Sequence, residues 1–178
     1  MAKQDRIGQS QHLRGRTVDL YLIRHAEAKA LGENGITEDD DRPLTEEGET
    51  QTRRLGTGFH ARGLRLGTLL CSPLLRAKQT AEGVLKHWPE FAPTVQVCEE
   101  LAPCVKTKKL ARFLRSLGTS SVGLVGHMPD LGEFMGWLIG SRKANIAFAK
   151  AGVAFVRCED VRKGEGRLEW LLTPECVA

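Results

Sequence analysis

Residues 17–23 read T-V-D-L-Y-L-I, and Arg24-His25 come next without a break. The run is rich in β-branched and aliphatic side chains and reads as a strand. The stretch before it is different in kind. Residues 1–16 carry charge but no apolar centre, so they do not make a secretory signal and read as a flexible tail. Beyond the strand, helical patterns alternate with further short apolar runs. Residues 44–62 predict a helix, with Thr45 as N-cap, Glu46 and Glu47 at its positive end and Gly63 closing it. Residues 68–71 predict a short strand. Ser72-Pro73 then reads as an N-cap with proline at the first helical position, and Leu74, Ala77, Ala81, Val84 and Leu85 mark the buried face.

Residues 94–98 predict a third strand, and Leu110, Phe113, Leu114 and Leu117 recur at helical spacing before Gly118. A fourth strand (121–125) and a fourth helix (129–139) come next. The last strand candidates, 153–158 and 167–172, flank the polar turn 162–166 and read as a hairpin. Such alternation predicts an α/β fold: a mostly parallel, doubly wound sheet between helical layers. No internal repeat or linker divides the chain, so residues 17–178 are expected to form one domain.

Composition narrows the function classes. The 178 residues are 41% hydrophobic and 27% charged, which suits a globular chain rather than a disordered one. No apolar run approaches the roughly 18 residues that span a bilayer, so no membrane partner is expected and a cytoplasmic location is. A net charge of +4, without a basic stripe interleaved with aromatics, gives no nucleic-acid signature. The acidic run 38–41 reads as a solvated loop. Cys71, Cys98, Cys104, Cys158 and Cys176 are dispersed, with no C-x-x-C pair and no zinc spacing. Reduced thiols are expected, and no structural metal.

In open α/β sheets, ligands bind beyond the carboxyl ends of the strands. Four basic groups fall there: Arg24 and His25 after the first strand, Arg76 after the second and His127 after the fourth. Buried like charges repel unless an anion sits among them. A phosphoryl group fits that demand. Guanidinium forks match phosphate oxygens, a neutral imidazole at His25 supplies an attacking nitrogen, and His127 can donate to the transferring group.

Four segments extend the match. L-I-R-H-A-E-A (22–28), R-P-L-T-E-E-G (42–48), S-P-L-L-R-A-K-Q-T-A (72–81) and V-G-H-M-P-D-L (125–131) resemble, in order, the blocks of the histidine phosphatase superfamily, branch 1. Within it the chain is most similar to the short SixA-like phosphohistidine phosphatases, which also tend to end in a segment like L-E-W-L-L-T-P (168–174). The resemblance implies a three-layer α/β/α fold and a covalent phosphohistidine at His25. It implies a phosphate pocket of Arg24, Arg76 and His127, no metal or cofactor, and a phosphohistidine-bearing protein as substrate. Larger relatives add a carboxylic acid within a long insertion. Here that stretch is only E-E-L-A-P (99–103), and Glu100 is the candidate acid, alongside its reading as a solvated carboxylate.

Three rival readings compete. A cysteine phosphatase needs five residues between its cysteine and arginine, whereas four separate Cys71 from Arg76, and Pro73 removes a backbone donor. A non-catalytic phosphate-binding module would use Arg24 and Arg76 but would need no attacking nitrogen. A small-molecule phosphomonoesterase or mutase of the same superfamily stays open. The oligomeric state is not legible.

Overall fold

The computed structural model of the chain describes residues 17–88, 93–141 and 143–177, so the expected tail, 1–16, lies outside the described residues. The elements in chain order are β1 (Val18–Arg24), α1 (Glu46–Ala61), β2 (Thr68–Cys71), α2 (Leu75–Lys86), β3 (Val95–Val97), α3 (Thr107–Ser116), β4 (Ser121–Gly126), α4 (Asp130–Leu138), β5 (Val153–Cys158), β6 (Gly166–Leu172) and α5 (Pro174–Val177). Short 3-10 turns occupy Glu33–Gly35, Asp39–Asp41 and Glu99–Leu101.

The six strands form one sheet in the order β3-β2-β4-β1-β5-β6. The pairs β2–β3, β2–β4 and β1–β4 are parallel, and each needs a crossover that a helix supplies. β5 runs antiparallel to β1 and forms the expected hairpin with β6. Period-two alternation in β1 explains the layering. Leu20 and Leu22 point into a cluster with Leu110 and Leu114 of α3 and Leu131 and Phe134 of α4. Tyr21 and Ile23 point to the opposite face, against Leu55 and Phe59 of α1 and Ala77, Ala81 and Val84 of α2. Each fully buried leucine here is worth about 1.5–3 kcal/mol of burial. The sheet thus lies between two helical layers, as expected.

Local chemistry sets the helix ends that matter for the rim. The Thr45 hydroxyl accepts from Gly48 N at 3.1 Å and caps α1. Gly48 itself lies against the main chain just past β1: a Cβ there would run into the Glu27 carbonyl. The glycine of R-P-L-T-E-E-G is therefore required by close approach, and it docks α1 beside the segment carrying His25.

The start of α2 corrects the expectation from Ser72-Pro73. Leu74 occupies the N-cap position and the helix begins at Leu75, so Ser72 does not cap it and Pro73 is not its first residue. Ser72 is instead fully buried and bonded to a side chain from β4's end. Among the described residues no helix is long and apolar enough to cross a membrane.

Candidate active site

Strand order brings three chain segments side by side. β1 and β4 pair in register through Arg24 and Gly126, so the residues just beyond them, His25 and His127, are neighbours. His25 N donates to Gly126 O at 2.9 Å, and the two imidazole centroids are 5.1 Å apart. On β4's other side, Ser72 N donates to Val125 O at 3.0 Å, bringing the end of β2 and the first turn of α2 to the same rim. Arg24, His25, Arg76 and His127 meet there, as the motif positions predict; the last three are buried.

Each side chain is held by a specific partner. His25 Nδ1 lies 2.8 Å from the Ala26 carbonyl. A carbonyl only accepts, so the proton belongs on Nδ1 and the lone pair on Nε2. The Ala26 amide is fixed in turn by Thr80 Oγ1 at 3.0 Å, and the Thr80 hydroxyl donates to Arg76 O at 2.6 Å. One threonine thereby ties α2 to the segment carrying His25. His127 Nε2 lies 2.8 Å from Ser72 Oγ, which accepts weakly from Leu74 N at 3.4 Å. When the Ser72 hydroxyl donates to Nε2, the His127 proton sits on Nδ1, the ring nitrogen that has no protein partner.

The arginines are anchored at their outer nitrogens. Arg24 Nη1 donates to Phe148 O at 2.7 Å. Arg76 Nη1 donates to Asp39 O at 2.6 Å and Nη2 to Asp39 Oδ2 at 2.9 Å. Three buried nitrogens of the cluster, Arg24 Nε, Arg76 Nε and His127 Nδ1, have no hydrogen-bond partner. An unpaired buried donor costs about 1–3 kcal/mol, more when charged, so three on one rim mark a place for an acceptor-rich ligand.

Electrostatics agree. Burial, reinforced by the charges of Lys150 and Arg76 and by His127, holds the His25 pKa down at about 3 against the Ala26 hydrogen bond. Burial and then Arg76 lower His127 to about 4, opposed by Asp39. Both rings are neutral at pH 7. A neutral imidazole at His25 can offer its lone pair to an electrophile, and a neutral one at His127 can donate without adding charge.

Two participants carry no signal in the sequence. Asp39 belongs to the acidic run that reads as a solvated loop, yet it pairs with Arg76 and also with Arg42, whose Nη1 lies 2.9 Å from Asp39 Oδ1. These partners, Arg42 first, hold its carboxyl below the usual range. All four residues of the run, Asp39 included, are exposed. The second is Lys150, half-buried, whose charge reaches both histidines. No motif flags either residue; an acidic run and a lone lysine look alike wherever they fall.

Glu100 stands apart. It lines a small cavity together with His127, Asp130 and Leu131, but its carboxylate is engaged elsewhere. Oε1 lies 3.5 Å from Lys109 Nζ, and Oε2 accepts from Cys98 Sγ at 3.6 Å. Cys71 is fully buried, and burial raises its thiol to about 11, which leaves no thiolate to attack phosphorus.

The histidine phosphatase superfamily (branch 1) matches residues 20–103. An uncharacterised protein of a Picosynechococcus species is 37% identical over 147 residues, 79% of this chain and 85% of that one. The phosphohistidine phosphatase SixA of Escherichia coli is 28% identical over 162 residues, 88% of this chain and 94% of its own. Among solved structures, that of the protein histidine phosphatase SixA complexed with tungstate superposes with a TM-score of 0.79 at 25% identity, over 90% of this chain and all of that one.

Proposed function

The chain belongs to branch 1 of the histidine phosphatase superfamily, and from that premise we propose that it is a metal-independent phosphohistidine phosphatase acting on a phosphorylated protein. The observation that carries the reading is the set of three buried, unpartnered nitrogens, on Arg24, Arg76 and His127, gathered beside a neutral His25. Nitrogen donors of this kind are complementary to the oxygens of a phosphoryl group. The related SixA structure carries tungstate, a tetrahedral oxyanion of similar shape.

The chemistry has two balanced steps. The His25 Nε2 lone pair attacks phosphorus, and the bond from phosphorus to the substrate nitrogen breaks with its electron pair staying on that nitrogen, so that a substrate ring protonated on its other nitrogen leaves as neutral imidazole. Arg24, Arg76 and the His127 N–H offset the charge on the equatorial oxygens. Water then attacks the phosphohistidine, the P–N bond breaks, and inorganic phosphate leaves with His25 restored. A divalent ion entering this pocket would meet two guanidinium groups and the Lys150 ammonium, so the electrostatic work falls to the side chains.

The substrate class is argued from the leaving group. A phosphorylated ring protonated on its other nitrogen leaves as neutral imidazole, whose conjugate acid has an unperturbed pKa of about 6.5, whereas a serine alkoxide needs a proton donor. Glu100 has both oxygens occupied and offers no committed acid. Turnover of phosphohistidine, phosphoserine and a phosphosugar, measured side by side in excess EDTA, tests the reading. Phosphohistidine should be preferred, and chelation should leave its rate unchanged. Preference for an alkyl phosphate would overturn the substrate class, and loss of activity restored by a divalent ion would overturn the chemistry.

A further inference from the structure

We propose that the Lys150 ammonium is a direct contact to the phosphoryl group, a fifth side chain of the seat beside the two arginines and two histidines. The inference rests on the phosphatase reading and adds a binding residue that no sequence motif flags.

Placement comes first. Lys150 lies in the segment between α4 and β5 that closes over the end of β1. Phe148 O accepts from Arg24 Nη1 at 2.7 Å, Ala151 N donates to His25 O at 3.3 Å, and Gly152 O accepts from Arg24 N at 3.0 Å. Lys150 is thus flanked in sequence, on both sides, by residues bonded to Arg24 or His25. The turn that presents it is unusual. Ala151 is fully buried with a φ of 50°, a left-handed conformation that an alanine adopts only at a cost. Such backbone strain persists where the surroundings over-determine it, often at ligand sites.

Charge supplies the second observation. Lys150 is half-buried, and its ammonium forms no hydrogen bond or ion pair among the described residues. Burial lowers its pKa, followed by the repulsion of Arg24, Arg42 and Arg76, with Glu27 opposing. Four cations, Arg24, Arg42, Arg76 and Lys150, therefore face two carboxylates, Glu27 and Asp39. With both histidines neutral, the cations outnumber the carboxylates among these groups, an imbalance that favours an anion. A flexible lysine would otherwise swing its head into water.

Inorganic phosphate is the probe, with its affinity for the full chain measured by titration calorimetry at constant ionic strength. Lys150→Met keeps the stem and removes the charge, and it should weaken binding by about tenfold. Lys150→Arg should bind within about threefold of the parent, because the charge is restored. Lys150→Gln serves if the Met variant does not fold. Parent-like affinity in Lys150→Met, or an Arg variant as weak as the Met variant, would overturn the proposal. A parent chain that does not bind phosphate would take the phosphatase reading with it. Lys150-dependent phosphate binding in a chain that turns over no phosphohistidine would leave this contact standing while the substrate class fell.

Discussion

The rim at the ends of β1 and β4 and the turn that carries Glu100 lie side by side, yet their polar groups are in opposite states. At the rim, three buried nitrogens lack partners and the local charge is uncompensated. At Glu100, one carboxylate oxygen faces Lys109 and the other receives the Cys98 thiol. Unpaired buried donors are costly, so a fold keeps them where a ligand regularly supplies the acceptors. A carboxylate with its own partners requires nothing further. On the proposed phosphatase reading, the contrast teaches that the rim suits capture of a phosphoryl group, whereas Glu100 is not held in readiness to protonate what that group leaves behind.

The sharpest way to break the comparison is on the rim itself. His25→Ala removes the only proposed attacking nitrogen, and turnover should fall by about 10⁴-fold or more while the circular dichroism spectrum is retained. His127→Ala removes one donor to the transferring group and should cost on the order of 10²–10³ in kcat. If either variant kept near-parent rates, the rim would not be the reaction centre.

A pH series probes the same contrast through stability. His25 and His127 are neutral in the native state down to about pH 3 and 4, but in the unfolded chain they take up protons below about 6.5. Their contribution is fully present above pH 6.5 and is lost as pH falls toward the native pKa values. The slope is at most about 1.4 kcal/mol per pH unit for each ring. Urea unfolding between pH 7.5 and 5 should show the parent losing stability faster than His127→Ala. Parallel curves would show that His127 is not held neutral.

The smallest effect is expected at the other region. Glu100→Gln should change kcat/KM on phosphohistidine by less than about tenfold, under roughly 1.4 kcal/mol of barrier. Any activity on an alkyl phosphate should fall further. A large loss confined to phosphohistidine would make Glu100 an essential acid and erase the distinction between the two regions.

How much of the fold and the site is legible in the sequence depends on how local each signal is. β1 and the two histidines can be read from short apolar runs ending in polar residues, because burial of a parallel strand writes itself into consecutive positions. The start of α2 misleads because serine before proline is a strong local cap. Ser72 is fully buried beside His127 instead, and a tertiary hydrogen bond prevails over the capping preference. Asp39 is hidden for the converse reason: nothing in E-D-D-D reveals that the fold carries one carboxylate to an arginine 37 residues away. Lys150 sits in A-F-A-K-A-G, where the left-handed backbone falls on Ala151 and not on the neighbouring Gly152. The four residues of α5 are too few for helical periodicity to register.

The central claim is that His25 becomes covalently phosphorylated during turnover. It is tested most directly by quenching the enzyme while it processes a ³²P-labelled phosphohistidine substrate and examining the label left on the chain. The expected label is acid-labile and alkali-stable, as P–N linkages are, maps to the peptide containing His25 and is missing from His25→Ala. A label that survives acid, or one that persists in His25→Ala, would contradict the account.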